Sequence, residues 1–139
     1  MIVAYIDGGA RGNPGPAGYG VRIEAADGTV LAGLHGGLGI ATNNVAEYNA
    51  LLAALQWAVD HGEPRVRIRA DSELLVKQMR GEYKVKNPGL QPLAVRARLL
   101  VASLDEVVFE HVRRERNEEA DRLSNLGMDA AEAALRAGR

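Results

Sequence analysis

The 139-residue sequence contains no cysteine. That excludes disulfides, thiolate zinc sites and a cysteine nucleophile. Only three histidines are present, His35, His61 and His111, and they show no metal-ligand spacing such as H-E-x-x-H. There is no apolar run of membrane-spanning length, and the opening MIVAYIDGG does not read as a signal peptide, so a cytoplasmic location is the expectation. An excess of positive charge is missing too: 17 basic and 18 acidic residues leave a formal net charge of −1. A strongly basic chain would point to nucleic acid by itself. Here such a partner would have to be held by local basic patches and by metal. The glycine-rich stretch GGARGNPGPAG, Gly8 to Gly18, lacks the G-x-x-x-x-G-K-[ST] pattern and is not a Walker loop.

What is there fits one domain, residues 1–139, long enough to bury its own core, with about 128–139 as a C-terminal helical tail. Ile2 to Ile6 alternates and reads as a strand ending at Asp7. Gly8 to Gly18 reads as a loop. Tyr19, Val21 and Ile23 alternate with Arg22 and Glu24 as a second strand. Asp27-Gly28 is a hairpin turn, and Thr29 to about Gly36 returns as a third strand. Thr42 to His61 is the clearest helix, with Tyr48, Leu51, Leu52, Leu55 and Val59 on one face. Asn43 and Asn44 can cap its start and Gly62 can end it. Arg65 to Ala70 is a strand ending at Asp71, followed by a short helix from Ser72 to about Arg80 and a loop to Gly89. Gln91 to Leu104 is helical, Glu106 to Val112 is a fifth strand, and a helix starts at Asn117 with a break expected near Gly127. The order β-β-β-α-β-α-α-β-α implies an α/β fold, a five-stranded mixed sheet with helices on both faces.

Two strands end in aspartate, Asp7 and Asp71. Were those strands parallel neighbours, both carboxylates would lie at the carboxyl edge of the sheet, where open α/β sheets place their ligand sites. Glu47 precedes Leu51 by one helical turn and so points towards the sheet. Asp121 lies near the start of the last helix. Four carboxylates together would repel one another unless hard divalent cations sat among them. Taken singly, each has another reading: turn-forming aspartates at 7 and 71, a capping-box Glu47 after Asn44, and a solvated Asp121. Composition and spacing alone leave these alternatives open.

The wording of four motifs carries more. DGGARGNPGPAGYG, TNNVAEYNALLAAL, IRADSELLVKQM and RNEEADRLSN, in this order and at these separations, resemble the type 1 ribonuclease H family, and the resemblance spans nearly the whole chain. It implies an endonuclease that hydrolyses the RNA strand of RNA–DNA hybrids and leaves 3′-hydroxyl and 5′-phosphate ends. It implies that Asp7, Glu47, Asp71 and Asp121 hold two Mg²⁺ ions, with Mn²⁺ as a substitute. Two such ions about 4 Å apart stabilise both oxygens of an in-line displacement. By the same resemblance Asp7 bridges the ions, Asp121 helps hold the ion that activates water, and Glu47 and Asp71 help hold the ion on the leaving-group side. Substrate contacts are implied at Gly8, Gly9, Asn13, Asn43, Asn44 and Glu73, which read 2′-hydroxyls in the shallow minor groove. Thr42 would meet a DNA-strand phosphate, and Lys84, Lys86 and Asn87 the backbone. The expected partner is the hybrid, with double-stranded RNA as a second duplex, and the expected state is a monomer.

Two departures matter. GEYKVKNPGL is too short for the basic handle that many relatives carry before the segment matching Lys86-Asn87, which resembles the compact prokaryotic branch. The segment VRRERNEEAD also lacks the histidine that many relatives have upstream of the last aspartate. Arg114 is the best positional substitute and Arg116 the second. The competing readings are a catalytically weak module of the same fold, binding hybrid or double-stranded RNA, and a resolvase- or integrase-like nuclease core. The four intact acids oppose the first, and the GNPGPAGYG and TNN motifs oppose the second.

Overall fold

The alternation of apolar and polar residues in the first strand sets the architecture. Ile2, Ala4 and Ile6 are buried on one face, and the same period recurs as Val21 and Ile23, then as Val66, Ile68 and Ala70. In the computed structural model, which describes residues 1–138, these rows lie side by side beneath one apolar face of a long helix. The elements are β1 (Ile2–Ala10), β2 (Gly15–Glu24), β3 (Val30–Ala41), α1 (Asn43–Asp60), β4 (Arg65–Ala70), α2 (Glu73–Met79), α3 (Gln91–Ala102), β5 (Glu106–His111) and α4 (Glu118–Ala137), with a 3₁₀ turn at Arg114–Arg116. The sheet order is β3-β2-β1-β4-β5. β1 to β3 form an antiparallel meander, and β4 and β5 run parallel to β1. The expected five-stranded mixed sheet is therefore present. α1 and α2 cover one face, with α3 packed on α1, and α4 covers β2, β3 and part of β1 on the other.

Tyr48, Leu51 and Leu55 of α1 are almost wholly withdrawn from water. At about 1.5–3 kcal/mol for each fully buried side chain of the leucine class, this face is what holds α1 on the sheet. α4 is held differently. It lies on glycines: a Cβ at Gly20 would collide with the Ala120 carbonyl, and one at Gly127 would collide with the Gly36 carbonyl. Helix and sheet backbones touch there because neither side has a side chain in the way.

Four expectations change. The stretch from Gly8 to Gly18 is mostly strand, since β1 continues through Gly8↔Tyr19, Gly9↔Gly18 and Ala10↔Ala17, leaving only a short turn that Arg11 N closes onto Pro16 O. Cross-strand pairing outweighs the weak strand preference of glycine. The cap of α1 is Thr42, whose hydroxyl accepts from Val45 N at 3.2 Å, not Asn43 or Asn44. α4 does not break at Gly127, because close packing on β2 and β3 favours glycine there. β3 also runs five residues beyond its expected end, to Ala41. The Asp27-Gly28 turn is as expected, with Gly28 at φ 91°. The tail is the second half of α4, and Arg139, its last expected residue, lies outside the described residues.

Candidate active site

The parallel register Ile6↔Ala70 sets Asp7 beside Asp71 at the carboxyl ends of β1 and β4. Glu47 reaches them through a missing side chain. Gly8 lies against the Ala46–Glu47 backbone so closely that any Cβ there would overlap the Ala46 carbonyl. This contact lets the start of α1 descend onto β1. One carboxylate oxygen from each of Asp7, Glu47 and Asp71 then falls within 4.8 Å of the others. Asp121 stands in the first turn of α4, more exposed, and lines the same cleft with Gly8, Gly9, Asn43 and Arg114.

The cleft is short of positive charge. Asp7 is 7% exposed, and burial first, then the charges of Asp71 and Asp121, push its carboxyl up to about 7. The Ser124 hydroxyl opposes that shift. Glu47 is 8% exposed and lies well above the usual carboxylate range, chiefly through burial and then through Asp7 and Asp71. A backbone contact from Gly8 and the charge of Arg114 oppose it. Glu47 Oε2 is buried without a hydrogen-bond partner among the described residues. A buried carboxylate oxygen left bare costs free energy unless a cation meets it. Neither Asp7 nor Glu47 acts as a cap or a turn former.

The other sequence-predicted residues separate by place. Arg114 lines the carboxylate cleft, whereas Arg116 lines a depression on the far side of the 3₁₀ turn with Tyr5, Glu118 and Glu119. Asn13 and Asn43 interlock. Asn13 Oδ1 accepts from Asn43 N at 3.0 Å, and Asn43 Oδ1 accepts from Ala10 N at 2.7 Å. Both acceptor oxygens are thus engaged, which leaves the amino groups as donors. Asn44 is exposed. Thr42 serves as the cap. Glu73 is exposed and ion-paired with Lys77 at 3.0 Å. Lys84, Lys86 and Asn87 sit in the exposed loop between α2 and α3, outside the cleft lining, and Asn87 Oδ1 accepts from Gly89 N.

Two residues escaped the sequence reading. Asn117 is buried and donates its Nδ2 to Ile6 O at 2.8 Å, while its own carbonyl accepts from Asp121 N. It ties the start of α4 to β1 next to Asp7. Ser124 is also buried, and its hydroxyl lies 3.2 Å from Asp7 Oδ2. The motif RNEEADRLSN contains both, but their partners in β1 lie more than a hundred residues away.

Residues 5–127 match the family described as reverse transcriptase-like. Over 131 residues the chain is 50% identical to the bifunctional protein Rv2228c of Mycobacterium tuberculosis, covering 94% of this chain and 36% of that protein. It is 44% identical to the ribonuclease HI of Halobacterium salinarum, covering 94% of this chain and 65% of that one. It therefore spans about a third of the length of the first curated relatives. The crystal structure of LC11-RNase H1 in complex with an RNA/DNA hybrid superposes with a TM-score of 0.89 at 43% identity, covering 94% of this chain and 99% of that chain.

Proposed function

This chain belongs to the ribonuclease H family, and from that premise we propose that it hydrolyses the RNA strand of RNA–DNA hybrids at the Asp7–Glu47–Asp71 cleft, leaving 3′-hydroxyl and 5′-phosphate ends. The observation that carries the proposal is the buried, unpartnered Glu47 Oε2 beside two further carboxylates within 4.8 Å. That donor set, all oxygen and all anionic, fits Mg²⁺ or Mn²⁺. Asp7, Glu47, Asp71 and Asp121 would hold the two ions. Bound there, the ions supply activation of the attacking water and stabilisation of the charge on the leaving oxygen.

The chain's own residues do the rest. Asn13 and Asn43 present N–H donors to acceptors such as the 2′-oxygen of the RNA strand in the shallow minor groove. Gly8 and Gly9, without side chains, let that groove approach the β1 backbone. Thr42 and Asn44 stand beside them at the start of α1, and Glu73 at the start of α2. Arg114 faces the carboxylates as a permanent cation. It cannot shuttle a proton at neutral pH, so its part is to hold phosphate and steady negative charge. Lys84, Lys86 and Asn87 would meet the duplex backbone at a distance from the cleft.

The test is cleavage of matched RNA–DNA, RNA–RNA and DNA–DNA duplexes with Mg²⁺, Mn²⁺ or EDTA. Metal-dependent cutting of the hybrid's RNA strand is expected. Cutting of DNA duplexes would show a different nuclease of this fold, and hybrid binding without cutting would show a module that has lost catalysis.

A further inference from the structure

Ser124 is 1% exposed on the face of α4 that meets β1 and β2. Its hydroxyl reaches two oxygens, the carbonyl of Asp121 at 2.8 Å and Asp7 Oδ2 at 3.2 Å. The first bond is a local habit of serine in helices. The second is not local, since it joins residues 117 apart in the chain. A serine hydroxyl carries one proton, so the two acceptors compete for it. The Asp121 carbonyl has a second side-chain donor, Asn125 Nδ2 at 2.9 Å. Asp7 Oδ2 has no other side-chain donor from the protein among the described residues. The proton is therefore worth most on Asp7. Ser124 is also seated firmly: a Cβ at Gly20 would collide with its backbone nitrogen, so α4 and β2 are in direct contact here.

We propose that Ser124 is a positioning residue that clamps one oxygen of Asp7 to the second turn of α4 and so lowers the metal concentration the carboxylate site requires. The inference rests on the reading of these carboxylates as a divalent-cation site. A hydrogen bond to one carboxylate oxygen restricts rotation of the group, so the ligand is held in place before a cation arrives. Because Ser124 stands three residues after Asp121 on the same helix, the bond ties Asp7 to the element that carries Asp121.

The experiment titrates Mg²⁺ against the hybrid-free protein and reads the melting temperature. Ser124→Ala preserves size and improves helix propensity. Its Mg²⁺ midpoint should rise roughly tenfold, the low end for partners of metal-binding side chains, because 3.2 Å is a long bond. Asn125→Ala leaves the Asp121 carbonyl free to draw the Ser124 proton from Asp7, so its midpoint should rise in the same direction by a smaller factor. A purely structural serine would lower the melting temperature equally at every Mg²⁺ concentration. That result, or an unchanged midpoint in Ser124→Ala, overturns the proposal. If the wild-type protein shows no Mg²⁺-dependent shift at all, the metal reading itself falls and takes this inference with it.

Discussion

A carboxylate as deeply buried as Glu47 ordinarily has a hydrogen-bond donor at each oxygen, and Glu47 Oε2 has none among the described residues. The side chain lies with the carboxylates of Asp7 and Asp71, one oxygen of each within 4.8 Å of the others. Glu47→Gln keeps the shape and removes the charge. Turnover should fall more than about 100-fold, since loss of a mere partner of a ligand already costs roughly 10–100-fold. Hybrid affinity, measured by fluorescence anisotropy in EDTA, should stay near wild type. Near-normal turnover in Mg²⁺ would show that Glu47 is not a ligand. Arg114 makes a second case. Arg114→Ala should reduce kcat more than it raises KM, because the guanidinium faces the carboxylates where charge develops. Arg116→Ala, on the far side of the turn, should leave both close to wild type. The reverse pattern would show that the wrong arginine was chosen. Residue type and spacing marked Asp7, Glu47 and Asp71 only as candidates, an aspartate ending an apolar run and an acid one turn before a buried leucine; the family resemblance singled them out, and the fold brings the three together. Asn117 and Ser124 were not legible, because each matters only through an atom of β1 that the chain reaches after more than a hundred residues. The engaged oxygens of Asn13 and Asn43 were hidden because their partners lie 30 and 33 residues away in the chain.

Among the elements, α4 shows most clearly how tertiary contact overrides local preference. Read locally, Gly127 weakens a helix, and alanine there should stabilise it by about 1 kcal/mol. In place, a Cβ at 127 would run into the Gly36 carbonyl and crowd Gly18. Gly127→Ala should therefore destabilise the protein by roughly 1–3 kcal/mol. Urea denaturation decides the sign, and a more stable variant would mean that α4 does not sit down on β2 and β3 as described. Because α4 carries Asp121 and Ser124, the same variant should need more Mg²⁺ for activity. The expected break at Gly127 misread this packing as punctuation. The stretch from Gly8 to Gly18 was misread likewise: its glycines and prolines suggest a loop, yet Gly8, Gly9 and Gly18 lie within paired strands where α1 and α4 come close. Elements with regular apolar periods, such as β1 to Ile6, α1 and β4, were legible because burial of one face decides them locally. Glycine positions were not, because a glycine records a neighbour that only the fold supplies.

At the scale of the whole molecule, folding gathers charges that the unfolded chain keeps apart, and this should be measurable as stability. The Asp7 carboxyl is pushed up to about 7 in the folded protein from an ordinary value of 3.8. Glu47 is raised as well. For an acid with a raised folded pKa, the unfolded state gives up its proton first as pH rises. Metal-free stability is then fully present below about pH 4 as far as Asp7 is concerned, falls between about 4 and 7, and stays reduced above that. Asp7→Asn removes the most crowded charge. It should be inactive in Mg²⁺, and at pH 8 in EDTA it should be more stable than wild type by roughly 2 kcal/mol, less than the shift alone would give, because the Ser124 bond to a carboxylate is weakened too. The gain should shrink as pH falls through 7 towards 4. Millimolar Mg²⁺ should reverse the order, since a ligand that binds only the folded state stabilises it by mass action, and wild type keeps the carboxylate that the variant has lost. Melting curves of both proteins at pH 5 and pH 8, each in EDTA and in Mg²⁺, separate these terms. If Asp7→Asn melts below wild type in EDTA at pH 8, and Mg²⁺ moves neither protein, then the repulsion is absent and the carboxylates do not share a cation.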